Sequence, residues 1–257
     1  MDEDNGVSIE LFHGDCLELV ERMNDGLVDM VLTDPPYSSG GLFTGDRKKK
    51  TSSKYTDDGY NGASRFPDFS GDNMDQRSFT EFMRMILAKC RKKTKPEGIC
   101  AVFTDWRQLS AMTDALQAAG WVYRGIAVWN KRNARNIPGR FRQDCEFLVW
   151  GTNGGKTVDW TPGFKAFPGY YEVSSVPTKQ KHHQTEKPVE LLEKLIAIAP
   201  EGGTVMDCFM GSGSTGVACL NTGRNFIGME LSEQYFEIAK QRIGGADEIT
   251  GRPGGCF

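Results

Sequence analysis

A chain of 257 residues, 39% hydrophobic and 25% charged, has the size and balance of one large α/β domain, and we expect a single unit over 1–257. No apolar run approaches the length of a bilayer span and the start, Met1-Asp2-Glu3-Asp4, is acidic, so neither a membrane protein nor a secretory signal is expected and the cytoplasm is the default compartment. A net charge of −3 with a pI of about 5.7 does not mark a general polyanion binder, and seven cysteines without a Cys-x-x-Cys pair argue against a disulfide framework or a zinc ribbon; no metal site is expected.

In chain order, a strand is predicted from Val7 to Phe12, then Gly14-Asp15-Cys16 opening a helix over Cys16 to Met23. The next strand, Val28 to Thr33, ends in Asp34-Pro35-Pro36-Tyr37. Two prolines fix φ and restrict the residue before each, so the Asp34 carboxylate and the Asp34 and Pro35 carbonyls are held with little freedom beside an aromatic face. Such a turn suits a planar substrate bearing an amino group, since the oxygens accept its protons while the ring holds its plane. A long stretch follows, about 38–77, rich in Gly, Ser, Asp and Lys and dotted with aromatics. Helices over Phe79 to Thr94 and Trp106 to Ala119 alternate with strands Gly98 to Asp105, Val122 to Trp129 and Glu146 to Gly151. A second long, aromatic stretch, about 152–186, precedes a helix from Pro188 to Ala199.

The strand Thr204 to Asp207 leads into Asp207-Cys208-Phe209-Met210-Gly211-Ser212-Gly213-Ser214-Thr215-Gly216 and a helix to Thr222; the strand Phe226 to Glu230 and a helix over Glu233 to Ile243 close the pattern. Gly211, Gly213 and Gly216 fit G-x-G-x-x-G, which brings the backbone close to a cofactor, and Glu230 lies where an acid binds ribose hydroxyls. The absence of Lys-Ser or Lys-Thr after Gly216 disfavours a nucleotide-hydrolysing P-loop, while NAD and S-adenosylmethionine sites both fit. Strand-helix alternation predicts a doubly wound, mainly parallel seven-stranded sheet with helices on both faces and a site at the strands' carboxyl ends. Basic runs at Arg47 to Lys50, Lys89 to Lys95 and Lys131 to Arg142 suggest a localised polyanion surface on a net-acidic chain, with Lys48, Lys49, Lys131, Arg132, Arg135, Arg140 and Arg142 as candidate DNA contacts.

Asp-Pro-Pro-Tyr ahead of a separate Phe-x-Gly-x-Gly turn resembles the amino-directed DNA methyltransferases, and the block order resembles their permuted beta class. Gly14-Asp15-Cys16, Thr33 to Tyr37, His183-Gln184-Thr185-Glu186-Lys187-Pro188 and Val205 to Gly216 are similar to four ordered motifs of that family, covering most of the chain. One departure is Cys208, where the family commonly has proline. The resemblance implies a Rossmann-like S-adenosylmethionine-dependent fold with one reversed strand, S-adenosyl-L-methionine as cofactor and a flipped adenine in double-stranded DNA as substrate, as in restriction-modification methylases. It implies a catalytic set of Asp34, Pro35, Pro36 and Tyr37. It further implies that Asp207, Phe209, Gly211 and Gly213 line the methionine part, with Lys187 near its carboxylate. Glu230 would bind the ribose, Leu231 the adenine face, and Asp15 and Cys16 its edge, with Asp15 equally readable as a helix cap. The same motifs add Asp34, His183, Thr185, Ser212, Ser214 and Thr215 to the cofactor set.

In that reading Asp34 and the Pro35 carbonyl accept the two amino protons and free the nitrogen lone pair, while Tyr37 stacks on the extruded base. Alternatives are the 4-amino group of cytosine, RNA or a protein amide; an NAD-linked oxidoreductase would leave the Asp34 block unexplained, and a non-catalytic DNA-binding protein would leave its filled positions unused. Asp at the head of Pro-Pro-Tyr leans toward adenine. Dimerisation is common in the resembling group, and no obligate protein partner, nuclease or helicase segment is evident.

Overall fold

The computed structural model describes residues 6–37, 74–133, 138–156, 165–177 and 186–244. Its strands are β1 (Ile9–His13), β2 (Val28–Thr33), β3 (Thr94–Thr104), β4 (Val122–Asn130), β5 (Cys145–Thr152), β6 (Tyr170–Glu172), β7 (Thr204–Asp207) and β8 (Asn225–Glu230). Its helices are α1 (Cys16–Arg22), α2 (Gln76–Lys93), α3 (Leu109–Ala118), α4 (Val189–Ile196), α5 (Ser214–Thr222) and α6 (Glu233–Ile243). The strands form one sheet in the order β1-β8-β7-β2-β3-β5-β4-β6, in which β5 alone runs antiparallel to both neighbours. The reversed strand is therefore present, and the seven expected strands gain an eighth. This extra strand, β6, comes from the 152–186 stretch expected as loop: three residues pair with β4 through Val128 and Tyr170 to Asn130 and Glu172. A strand this short carries too little periodicity to be seen in sequence.

Helix starts follow their caps. Asp15 accepts from Leu17 N at 2.8 Å and begins α1, and Asp75 accepts from Arg77 N and Ser78 N, each at 3.0 Å, so α2 starts three residues before the apolar periodicity does. Conversely, α3 starts late, because the Asp105 carboxylate ties Arg107 N at 2.9 Å and Gln108 N at 3.2 Å into a turn before the helix can begin.

The core lies in two layers, one on each face. Met30 and Leu32 of β2 and Ile99, Ala101 and Phe103 of β3 pack on the side of α4, α5 and α6, against residues such as Leu191, Leu195, Ala218 and Ile243. Val31, Cys100 and Val102 point the other way, onto Val20 of α1, Ile86 and Leu87 of α2 and Leu116 of α3. Both faces of the central strands are thus covered, which is why β2 is apolar on successive residues from Met30 to Leu32. Each fully buried aliphatic side chain contributes roughly 1.5–3 kcal/mol.

The chain leaves β7 toward β8 and leaves β2 toward β3, so adjacent strands β7 and β2 send their connections to opposite sides. A crevice opens at such a switch point, at the carboxyl ends of the strands. Asp207 ends β7, Glu230 ends β8, and Asp34 follows directly on β2.

Candidate active site

At the crevice, the end of β2 is fastened to the end of β7. Asp207, 3% exposed, accepts from Thr33 Oγ1 at 2.6 Å, Thr215 Oγ1 at 2.7 Å and Phe209 N at 3.0 Å. One carboxylate therefore joins the residue before Asp34, the turn after β7 and the first turn of α5. Burial pushes its pKa up to about 6 in spite of three donors that favour ionisation. Asp207 was expected on the methionine part of a cofactor; its side chain is committed inside the protein, as the anchor of the glycine-rich turn.

That turn has φ of +52° at Gly211 and +84° at Gly213, left-handed values at which a side chain is strained. A Cβ on Gly213 would also come within 3.0 Å of Ala239 Cβ and Ile243 Cδ1, so the backbone packs directly against α6. Gly211 N donates to Glu230 Oε2 at 3.0 Å, Ser232 N donates to Glu230 Oε1 at 2.8 Å, and Gly14 N donates to the Glu230 carbonyl at 2.9 Å. Burial raises the Glu230 carboxyl against these donors. Asp15, Cys16, Glu230 and the glycine turn are thus assembled along the ends of β1, β8 and β7. Asp15 serves as the α1 cap, Cys16 is buried, and Leu231 stands 57% exposed next to Glu230.

Behind the turn, Arg242 of α6 donates to Ser212 O at 2.7 Å, Ser212 Oγ at 2.8 Å, Ser214 Oγ at 3.3 Å and Glu186 Oε1 at 2.7 Å. Glu186 and Arg242 were not foreseen. They tie the turn to the segment that carries Lys187, and nothing in sequence separates Arg242 from an ordinary cation in the last turn of a helix.

Asp34 has both carboxylate oxygens engaged. Tyr37 Oη donates to Oδ1, and Lys187 Nζ pairs with Oδ2. The Lys187 side chain is 6% exposed and that of Asp34 is 22% exposed, so Asp34 is the member of the pair that solvent, or a ligand, can reach. Lys187 Nζ also lies 3.3 Å from Tyr37 Oη, 4.9 Å from the Phe103 ring centroid and 5.5 Å from that of Tyr37. Lys187, expected near the cofactor carboxylate, has its ammonium on Asp34, since a buried cation requires an anion close by.

The third charged partner, Glu146, was missed. It is the second residue of β5, with Oε2 3.2 Å from Lys187 Nζ and Oε1 2.5 Å from Lys131 Nζ. The only sequence signal is an acid at the mouth of an otherwise apolar strand. Burial would raise Glu146, but Lys187 and Lys131 outweigh it and hold its carboxyl below the ordinary range. Burial would likewise lower Lys187, and Asp34 and Glu146 reverse that. For Asp34, burial wins over Lys187 and its carboxyl is raised, while burial and the Asp34 charge push the Tyr37 phenol well up.

Of the basic run, Lys131 pairs with Glu146, Arg132 pairs with Glu172 at 2.8 Å, and Arg142 lies 3.3 Å from Asp144 and donates to Arg132 O at 3.1 Å. Acids on β5 and β6, with Asp144 just ahead of β5, neutralise what looks purely basic in one dimension. Arg140 is exposed, and its neighbour Phe141 is 100% exposed. Lys48, Lys49, Arg135, His183 and Thr185 lie outside the described residues, as does most of the 38–77 stretch. No group of three or more His, Cys, Asp or Glu that could hold a metal occurs among the described residues, and none of the described helices is long and apolar enough to cross a membrane.

A family model described as DNA methylase matches residues 28–241. The Type II methyltransferase M2.LlaDCHI of Lactococcus lactis subsp. cremoris is 27% identical over 250 residues, covering 91% of this chain and 88% of the relative. The crystal structure of the M1.HpyAVI-SAM complex is similar with a TM-score of 0.65 at 27% identity, covering 92% of this chain and 99% of that one. PvuII DNA methyltransferase, which is cytosine-N4-specific, shares the fold with a TM-score of 0.65 at 18% identity, covering 92% and 86% of the two chains. With its Rossmann-like sheet and a match over most of its length, the chain belongs to the DNA methylase family that methylates amino groups, N6 of adenine or N4 of cytosine.

Proposed function

We propose that the protein transfers the methyl group of S-adenosyl-L-methionine to the 6-amino group of adenine in double-stranded DNA. The observation that carries this reading is the reachable Asp34 carboxylate fixed, through Thr33 and Asp207, to the glycine-rich turn across the switch point. The donor supplies an electrophilic methyl group on sulfur. The residues present suit it: left-handed glycines at 211 and 213 bring backbone close, Glu230 ends the adjacent strand beside them, and exposed Leu231 offers an apolar surface for a purine ring. The relative M1.HpyAVI has been crystallised with SAM.

The amino nitrogen of a nucleobase is a weak nucleophile because its lone pair is delocalised into the ring. When Asp34 and the Pro35 carbonyl accept hydrogen bonds from its two N–H groups, the nitrogen is drawn toward tetrahedral geometry and its lone pair turns to the methyl carbon, which would leave sulfur as it bonds to nitrogen, while one amino proton would pass by way of Asp34 to solvent. Asp34 opposes the positive charge growing on nitrogen, and alignment of the two reactants supplies roughly 7–11 kcal/mol of the barrier reduction. Tyr37, packed on the core beside Asp34, offers its ring to the extruded base, a stack worth roughly 1–3 kcal/mol. The end of the β4–β5 hairpin, with Arg140 and Arg142 flanking exposed Phe141, is the surface we assign to DNA.

The test is transfer of labelled methyl groups to unmethylated duplex DNA followed by nucleoside analysis. Label in 6-methylaminopurine is the expected result. Label in cytosine moves the assignment to the 4-amino group, and binding of the donor without any DNA label overturns it.

A further inference from the structure

Glu146 Oε2 is buried without a hydrogen bond, although the Lys187 ammonium, which bonds Asp34, lies only 3.2 Å away. A buried acceptor left unmade is costly, and a small movement of a flexible lysine head would satisfy it. At the same time Asp34, the proposed acceptor for the target amine, has an ammonium on one oxygen and a phenol on the other. An incoming amine therefore meets a carboxylate that already carries a cation and a hydroxyl donor.

Resting on the methyl-transfer reading above, we infer that Glu146 is a second seat for the Lys187 ammonium, which leaves Asp34 for Glu146 when the target base arrives and so presents Asp34 as a free, ionised acceptor. Charge is conserved in the move: two lysines, 187 and 131, face two carboxylates, 34 and 146, before and after it. The Phe103 ring, 4.9 Å from Nζ, gives the ammonium an aromatic face during the shift. Lys131, clamped on Oε1, keeps Glu146 in place while leaving Oε2 open. Glu146 acts through Lys187 and is a positioning residue.

The charged and titratable groups around Asp34 are Tyr37 on its own loop, Lys187 ahead of α4, Glu146 on β5 with Lys131 from the end of β4 behind it, Asp105 after β3 paired with Arg107, and Asp207 at the end of β7. Within this set, Glu146→Gln removes an anion that raises Asp34 and leaves Lys187 with a single seat. Lys131→Met does the reverse, leaving Glu146 with Lys187 as its remaining cation and drawing the ammonium off Asp34. The readout is kcat/KM for duplex DNA against pH, whose acid limb reports the free enzyme.

Glu146→Gln is expected to lose about a hundredfold, the cost of an amine held roughly 1 Å out of place, with its acid limb moved to lower pH. In Lys131→Met, whose side chain is partly exposed, the acid limb moves to higher pH whatever happens to DNA affinity. If both limbs coincide with wild type, or both move the same way, Glu146 is structural only and the inference falls while the methyl-transfer reading stands. A wild-type protein that transfers no methyl group to DNA overturns both.

Discussion

Replacing Thr33 by Val removes one hydroxyl and no volume, and the structure says what that costs. Thr33 Oγ1 donates at 2.6 Å to a carboxylate that is 3% exposed. At pH 8 Asp207, with a pKa of about 6, is ionised, and a hydrogen bond to a buried charge is worth about 1.5–3 kcal/mol. At pH 5 the carboxyl is mostly protonated, and the same bond falls to about 0.5–1.5 kcal/mol. The variant should therefore be destabilised by about 1–2 kcal/mol more at pH 8 than at pH 5, equivalent to a rise of about one unit in the Asp207 midpoint. Proton linkage fixes the sign for the wild type. Because burial lifts Asp207 from 3.8 to about 6, the folded state holds its proton more tightly than the unfolded chain, so its contribution is greatest below pH 4 and is lost as pH rises through 6. Urea unfolding of both proteins at the two pH values measures the difference. A cost that is the same at both, or below about 0.5 kcal/mol at pH 8, would refute the view that Asp207 is a buried charge held by its donors.

Tyr37→Phe keeps the ring and removes the hydroxyl that donates to Asp34 Oδ1, whereas Tyr37→Ala removes both; steady-state kinetics on duplex DNA should show the Ala variant weaker by a further factor of ten or so, the approximate worth of stacking, with donor affinity little changed in either. Gly216→Ala would put a Cβ 2.5 Å from Ile243 Cδ1 and 2.9 Å from the Phe226 ring, and denaturant unfolding should show a loss of about 1–3 kcal/mol. Arg140→Ala combined with Arg142→Ala should weaken DNA binding and reduce the magnitude of the slope of log K against log salt by about 0.9 for each phosphate no longer neutralised, as measured by fluorescence anisotropy.

The order of elements and the strand-end positions of Asp15, Asp34, Asp207 and Glu230 were legible in the sequence, because each sits at the boundary between an apolar run and a turn, whereas the reversed strand came only from the family resemblance. What was not legible depends on pairing across the sheet. Glu146 is remote in sequence from Asp34 and Lys187, and only the reversed insertion of β5 beside β3 brings it to the site. The pairing of β6 with β4 sets Glu172 against Arg132, and Asp144 pairs locally with Arg142, turning an apparent basic stripe into a set of ion pairs. Lys187 was recognised as a site residue from its motif, but its partner was not, since motif spacing records which segments approach the crevice and not which charge satisfies which. The early start of α2 and the late start of α3 are cap effects of Asp75 and Asp105, which outweigh hydrophobic periodicity at helix ends.

The central claim is that Asp34 does the chemistry and that the cofactor is held elsewhere. It is tested most directly by single-turnover transfer of labelled methyl from S-adenosylmethionine to duplex DNA, comparing wild type with Asp34→Ala and measuring donor binding by calorimetry on the same samples. The account predicts adenine labelling by the wild type, none by the variant, and donor affinity that is preserved. Labelling by the Asp34→Ala protein at the wild-type rate would contradict it.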